Sequence, residues 1–136
     1  MPDHAQVTVD AEEAPAVLEA LLSLYGARAD ALAELAGRTD AGRLQEARAA
    51  LLDADAALDT FGWERGERLA PAELSGPPRL VGEVLATAVA DAAELFDAAL
   101  EAYGGGHATL SQLRDAHEAL TRLLTMFAAH EAEHEI

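Results

Sequence analysis

Four of the five histidines in this 136-residue chain lie at or beyond position 107: His107, His117, His130 and His134. Imidazole titrates near neutral pH and is the commonest transition-metal ligand, so their spacing comes first. His130 and His134 stand four residues apart, which places both rings on one side of a helix, where they can grip one divalent transition metal. Glu131 adds Glu131-x-x-His134, a carboxylate and an imidazole one turn apart. His117 lies 13 residues before His130, about 20 Å along a helix axis, and cannot share that site.

Glu-x-x-His is also the spacing by which carboxylate-bridged di-metal bundles present ligands from one helix. Such a centre needs two motifs of this kind and a Glu from each of two further helices; this chain carries one motif. A metal-binding bundle, ferritin-like in shape only, is therefore the alternative expectation, centred on His130, Glu131 and His134. The competing reading of two histidines in the last seven residues is a solvated terminus or a partner contact.

Other chemistries find less support. The chain has no Cys, which excludes thiol catalysis, disulfides and thiolate metal sites. Serine occurs only at Ser23, Ser75 and Ser111, and Ser111 falls in a helix start, so no Ser-His-Asp nucleophile is recognisable. Gly104-Gly105-Gly106 follows a helical pattern and not a strand. It reads as a helix stop and not as a phosphate loop.

A second constellation surrounds the only tryptophan. Trp63, Arg65 and Arg68 follow Asp59, and an up-down bundle brings that end of the chain near His130, His134, Glu83 and His4. Aromatic, basic, acidic and imidazole groups then converge at one end of the molecule. The expectation is a surface for a protein partner or small ligand at Trp63, Arg65, Arg68 and Asp59. Trp63 also has a structural reading, as a hydrophobic lid on the end of the bundle.

The elements that must position these residues are helices. Apolar residues recur at 3-and-4 spacing through Leu18, Leu21, Leu22, Tyr25, Ala29, Leu32 and Leu35, which marks a first helix between about Glu12 and Gly37. Pro15 is tolerated only in a first turn, so the regular helix begins near Ala14. Leu44, Ala47, Leu51, Ala54, Leu58 and Phe61 form the seam of a second helix, capped by Thr39 or Asp40 and ended at Gly62. The segment Gly62 to Pro78 holds three Gly and three Pro and reads as one long irregular loop. A third helix starts at Pro78 or Arg79 and runs through Leu80, Val84, Leu85, Ala88, Ala92, Leu95, Ala99 and Tyr103. The fourth opens on the capping box Thr109-Leu110-Ser111-Gln112, with a stripe of Leu110, Leu113, Ala116, Leu120, Leu123, Leu124 and Phe127.

Helices of about 22 to 27 residues, about 33 to 40 Å each, match in length. The expected fold is all-α: an antiparallel four-helix bundle over 12–136, up-down-up-down, with one long loop between helices two and three and an extended N-terminal arm at 1–11. Val7-Thr8-Val9 is the only alternating piece of that arm. Thirty-three Ala and 21 Leu against few β-branched residues support the class.

With nine Arg, no Lys and 25 Asp plus Glu, the formal charge is −16. Such a surface repels phosphate backbones and anionic headgroups, so neither nucleic acid nor a membrane is an expected partner. No apolar run approaches the about 18 to 20 residues of a membrane span, and MPDHAQ lacks the features of a signal peptide; the expected location is the cytoplasm. The acids on the second and third helices read as solvated faces. Arg28, Arg38, Arg43 and Arg48 are expected to pair locally with neighbouring carboxylates. Leu22, Leu24, Leu52 and Val81 fall off the narrowest seams, which suggests a second packing partner, for which a two-fold dimer is the commonest answer. The leading expectation is a non-catalytic bundle that self-associates and binds a protein partner or small ligand.

Overall fold

The computed structural model describes residues 4–37, 41–62 and 72–134. Its elements run β1 (Ala5–Val9), α1 (Ala14–Leu35), α2 (Ala41–Phe61), β2 (Ala72–Gly76), α3 (Pro78–Gly104) and α4 (Leu110–His134). The helix starts follow the signals in the sequence. Pro15 occupies the first turn of α1, and Pro77, extended at φ −56 and ψ 140, delivers Pro78 as the first residue of α3. At α4 the capping box closes in both directions. The Thr109 N–H donates to Gln112 Oε1 at 2.8 Å and the Gln112 N–H donates to Thr109 Oγ1 at 3.1 Å, so two orphan amides are satisfied.

The fold is predominantly helical with a small sheet added to it. The expected arm is strand β1, antiparallel to β2, with Ala5 opposite Gly76 and Val9 opposite Ala72. β2 lies inside what the sequence presents as an irregular loop. Its residues, Ala-Glu-Leu-Ser-Gly, have little β propensity, and the strand exists because burial and pairing override that preference. Leu74 is fully buried and β2 packs along α2. On the open face, Thr8 Oγ1 donates to Glu73 Oε1 at 2.6 Å and Gln6 Nε2 donates to Glu73 Oε2. Gly76 ends the strand at φ +150, where a Cβ would stand 3.3 Å from Leu80 Cδ2, so the turn into α3 requires glycine.

The helix order differs from the expected bundle. The packed pairs are α1 with α2, α1 with α3 and α3 with α4. Each pair is antiparallel, because contacts run in opposite order along the two helices. Arg28 meets Ala50 of α2 and Glu83 of α3, whereas Leu22 faces Leu58 and Ala16 faces Leu95 further along. Phe96 meets His117, and Pro78 meets His130. The spatial order is therefore α2, α1, α3, α4, with α2 and α3 pointing the same way, and this replaces the up-down-up-down arrangement. The physical cause is β2, which carries the chain from beside Val9, at the start of α1, back to the start of α3. A plain loop would have returned it as the antiparallel neighbour of α2.

The core lies against the sheet, among the N-terminal halves of α1 and α3 and the C-terminal halves of α2 and α4. Val9, Val17, Leu21, Leu74, Leu80, Val84, Leu85 and Leu123 are fully buried there. Ala88 and Ala92 are buried on α3, and their small side chains permit close axial approach. Arg28 does not pair locally as expected. Its Nη1 donates to the Ala50 carbonyl at 2.7 Å and its Nη2 lies 3.4 Å from Glu83 Oε2, tying α1 to both neighbours.

Candidate functional site

The residues singled out by the sequence fall into three different settings. Trp63, Arg65 and Arg68 lie outside the described residues. Asp59 is exposed on α2 and borders a small cleft of about 160 Å³ with Leu22, Tyr25, Asp55 and Leu58. Glu83 is engaged by Arg28. His130 sits on the first turns of α3, and α2 and α4 are not a packed pair. The structure thus separates Asp59 from the histidines.

His130 is 3% exposed. Its Nε2 lies 2.9 Å from the Pro78 carbonyl oxygen, an acceptor, so in the neutral ring Nε2 carries the proton and donates it. Nδ1 is buried without a partner. Gly82 makes the arrangement possible, since a Cβ there would stand 3.3 Å from His130 Nε2. The His134 ring covers His130 at a centroid distance of 4.6 Å and a tilt of 40°. Glu131 is exposed beside them. Among the described residues no group of three or more His, Asp or Glu is placed to hold a metal ion. His130 therefore acts here as a latch from the end of α4 to the start of α3, with the nitrogen nearest the carbonyl already committed.

A second latch ties α4 to the turn before α1. Arg122 Nη1 lies 2.6 Å from Glu12 and 3.1 Å from Glu13, and Nη2 lies 3.6 Å from Glu118. Glu13 is buried, so Arg122 supplies the counter-charge that its burial demands. The hydrogen bonds that Arg122 donates to the carboxylates of Glu13 and Glu12 hold its guanidinium above its ordinary range.

The larger opening was not foreseen. A cleft of about 460 Å³ runs between α1, α3 and α4, floored by Ala92, Ala116, Ala119 and Leu123, with Leu95 at its lip and Ala16 on the α1 wall. Glu19, Asp91 and Glu94 stand at its edge. Leu95 belongs to the apolar seam of α3 and so reads as core, yet it is 68% exposed, because α1 begins alongside it and leaves that face uncovered.

The opposite side of the α3–α4 pair is also apolar. Leu110, His117 and Leu124 recur every seven residues along α4, on one face. Across the seam Phe96 packs on His117 at 5.6 Å, and Leu100 and Tyr103 follow Phe96 at 4 and 7 residues. Leu100, Tyr103, Leu110 and Leu124 are 43 to 48% exposed. Of the four side chains that suggested a wider apolar face, Val81 is fully buried, Leu22 and Leu24 pack on the core, and Leu52 alone is exposed. The uncovered face thus lies on α3 and α4 and not where those residues pointed.

No family model, no curated protein and no solved structure matches this chain at a level that shows kinship. Among the described residues, no helix is long and apolar enough to cross a membrane.

Proposed function

We propose that the protein is a non-catalytic, cytoplasmic binding module that self-associates through the side of the α3–α4 hairpin turned away from α1. The observation that supports this is an uncharged face on a molecule of charge −16. Val89, Ala93, Phe96, Leu100 and Tyr103 line it on α3, and Leu110, His117, Thr121, Leu124 and Ala128 on α4. The acids Asp91, Glu94, Asp97 and Glu101 occupy other sides of α3.

Two like-charged molecules can associate only through a surface that keeps their carboxylates apart, and this face does so. Its size also suits a dimer. The lining residues run about 21 Å along α3 and about 27 Å along α4, and across a layer about 20 Å wide they present about 500 Å² per copy, about 1,000 Å² in all, the lower bound for a specific interface. A two-fold axis apposes the same patch on both copies.

The test is light scattering on purified protein at micromolar concentration, with ionic strength varied. Twice the 14.3 kDa chain mass is expected for the wild type, and single-chain mass for the double variant Leu100→Asp/Leu124→Asp. The dimer should strengthen as salt rises, because screening over about 10 Å at 0.1 M weakens the repulsion of the two charged surfaces. A wild type that scatters as a monomer at every salt concentration ends the proposal.

A further inference from the structure

We infer that the cleft between α1, α3 and α4 seats a basic amphipathic helix of a partner protein. The inference rests on the reading of this protein as a binding module and uses the side of the α3–α4 hairpin opposite to the self-association face.

Three observations converge on a helical occupant. The floor, from Ala116 to Leu123 on α4, spans seven residues, about 10 Å, which matches the rise from i to i+7 of a docked helix. Three of the floor residues, Ala92, Ala116 and Ala119, are small enough for a backbone to come close, as Ala88 permits in the core. Leu95, 68% exposed at the lip, offers an apolar contact to a side chain lying along the groove.

The edge chooses the sign of the partner. Among the described residues, Glu19, Asp91 and Glu94 meet no ion-pair or hydrogen-bond partner, whereas Glu12, Glu13 and Glu118 nearby are all gathered by Arg122. An incoming helix with Leu or Ile at i, i+4 and i+7, and Lys or Arg flanking that stripe, would place cations against three unmatched carboxylates. An acidic helix would add to the existing repulsion, so charge discriminates between partners as well as attracting the right one.

Isothermal titration with a helical Leu/Lys peptide tests this, alongside a scrambled peptide of the same composition that has no apolar face. The protein is the full chain, as the wild type and as Leu100→Asp/Leu124→Asp, so that self-association and cleft binding fail separately. One peptide per chain is expected, with the scrambled peptide at least about tenfold weaker. Ala119→Trp fills the floor and Leu95→Glu removes the lip. Each is expected to weaken binding at least about tenfold, Leu95→Glu in spite of its added negative charge. Leu95 is exposed, so that variant leaves the core intact even where Ala119→Trp disturbs it. Equal binding of both peptides would mean attraction by net charge alone and would overturn the inference. So would unchanged affinity in Leu95→Glu, or binding of dodecyltrimethylammonium with none of the peptide, which would assign the cleft to a small amphipathic cation.

Discussion

Replacing Gly82 by Ala sets two known effects against each other at one atom. By helix propensity alone Ala is favoured over Gly by about 1 kcal/mol, so α3 itself should gain. At this position the new Cβ would stand 3.3 Å from His130 Nε2, closer than ordinary contact, and 3.5 Å from its Cδ2. The ring cannot simply retreat. Its Nε2 is held 2.9 Å from the Pro78 carbonyl and His134 covers it at 4.6 Å. Overpacking of a fixed group costs about 1 to 3 kcal/mol. The expected net effect is a loss of about 1 kcal/mol, a drop in Tm of about 4 °C for a domain of this size. In a His130→Ala background the obstruction is gone, and Gly82→Ala should stabilise by the helix term alone, about 1 kcal/mol. The coupling between the two sites is therefore about 2 kcal/mol, read from urea titrations of the four proteins followed by far-ultraviolet circular dichroism. A gain from Gly82→Ala in the wild type equal to that in His130→Ala would refute the latch.

Three further outcomes follow from other contacts. Leu74→Ala, at a fully buried strand position, should cost about 2 to 5 kcal/mol and lower the urea midpoint more than any exposed leucine change, such as Leu52→Ala. Thr109→Ala removes one half of the α4 capping box and should cost about 1 kcal/mol in the same assay. Glu73 is held below its ordinary 4.5 by hydrogen bonds from Thr8 and Gln6. A depressed carboxyl contributes stability that is fully present above its unfolded value and is lost as pH falls through the folded one. The wild type should therefore lose urea midpoint relative to Glu73→Gln below about pH 4.5 and keep a constant offset from it at neutral pH. Parallel curves over the whole range would remove Glu73 from the sheet's stability.

The helices were legible because their boundaries carry local chemistry. Pro15, Pro78 and the Thr109/Gln112 pair act within a few residues, and the starts of α1, α3 and α4 fall where those signals place them; the cap expected for α2, Thr39 or Asp40, lies outside the described residues. β2 was not legible, since Ala72 to Gly76 contains no strong strand former and its partner lies 67 residues away. The helix order was hidden for the same reason, because it depends on where that strand sets down the start of α3. Arg28 has carboxylates nearby in sequence and a better geometry across two helices, which spacing cannot reveal. At the candidate sites, His130 and His134 share one side of α4, as their spacing requires, and His130 is buried. The partner it meets is a backbone carbonyl, which no pattern of side chains announces. Leu95 and Leu110 obey the seam periodicity of their helices and are exposed, because periodicity tells which side is apolar and not how far the neighbouring helix extends.

The pairing of β1 with β2 also sets the tempo of folding. The α1–α2 and α3–α4 hairpins close through short connections and can form early, whereas Thr8 reaches Glu73 only after 65 residues have been gathered into one loop. Closing a loop of that length costs about 4 kcal/mol of chain entropy before any contact repays it. The sheet is thus the long-range event in an otherwise local fold, and its closure is the step expected to govern the rate. A chain shortened past Val9 should retain much helix but dock its two hairpins slowly and loosely. In kinetic terms the five residues of β1 are a clasp that closes last.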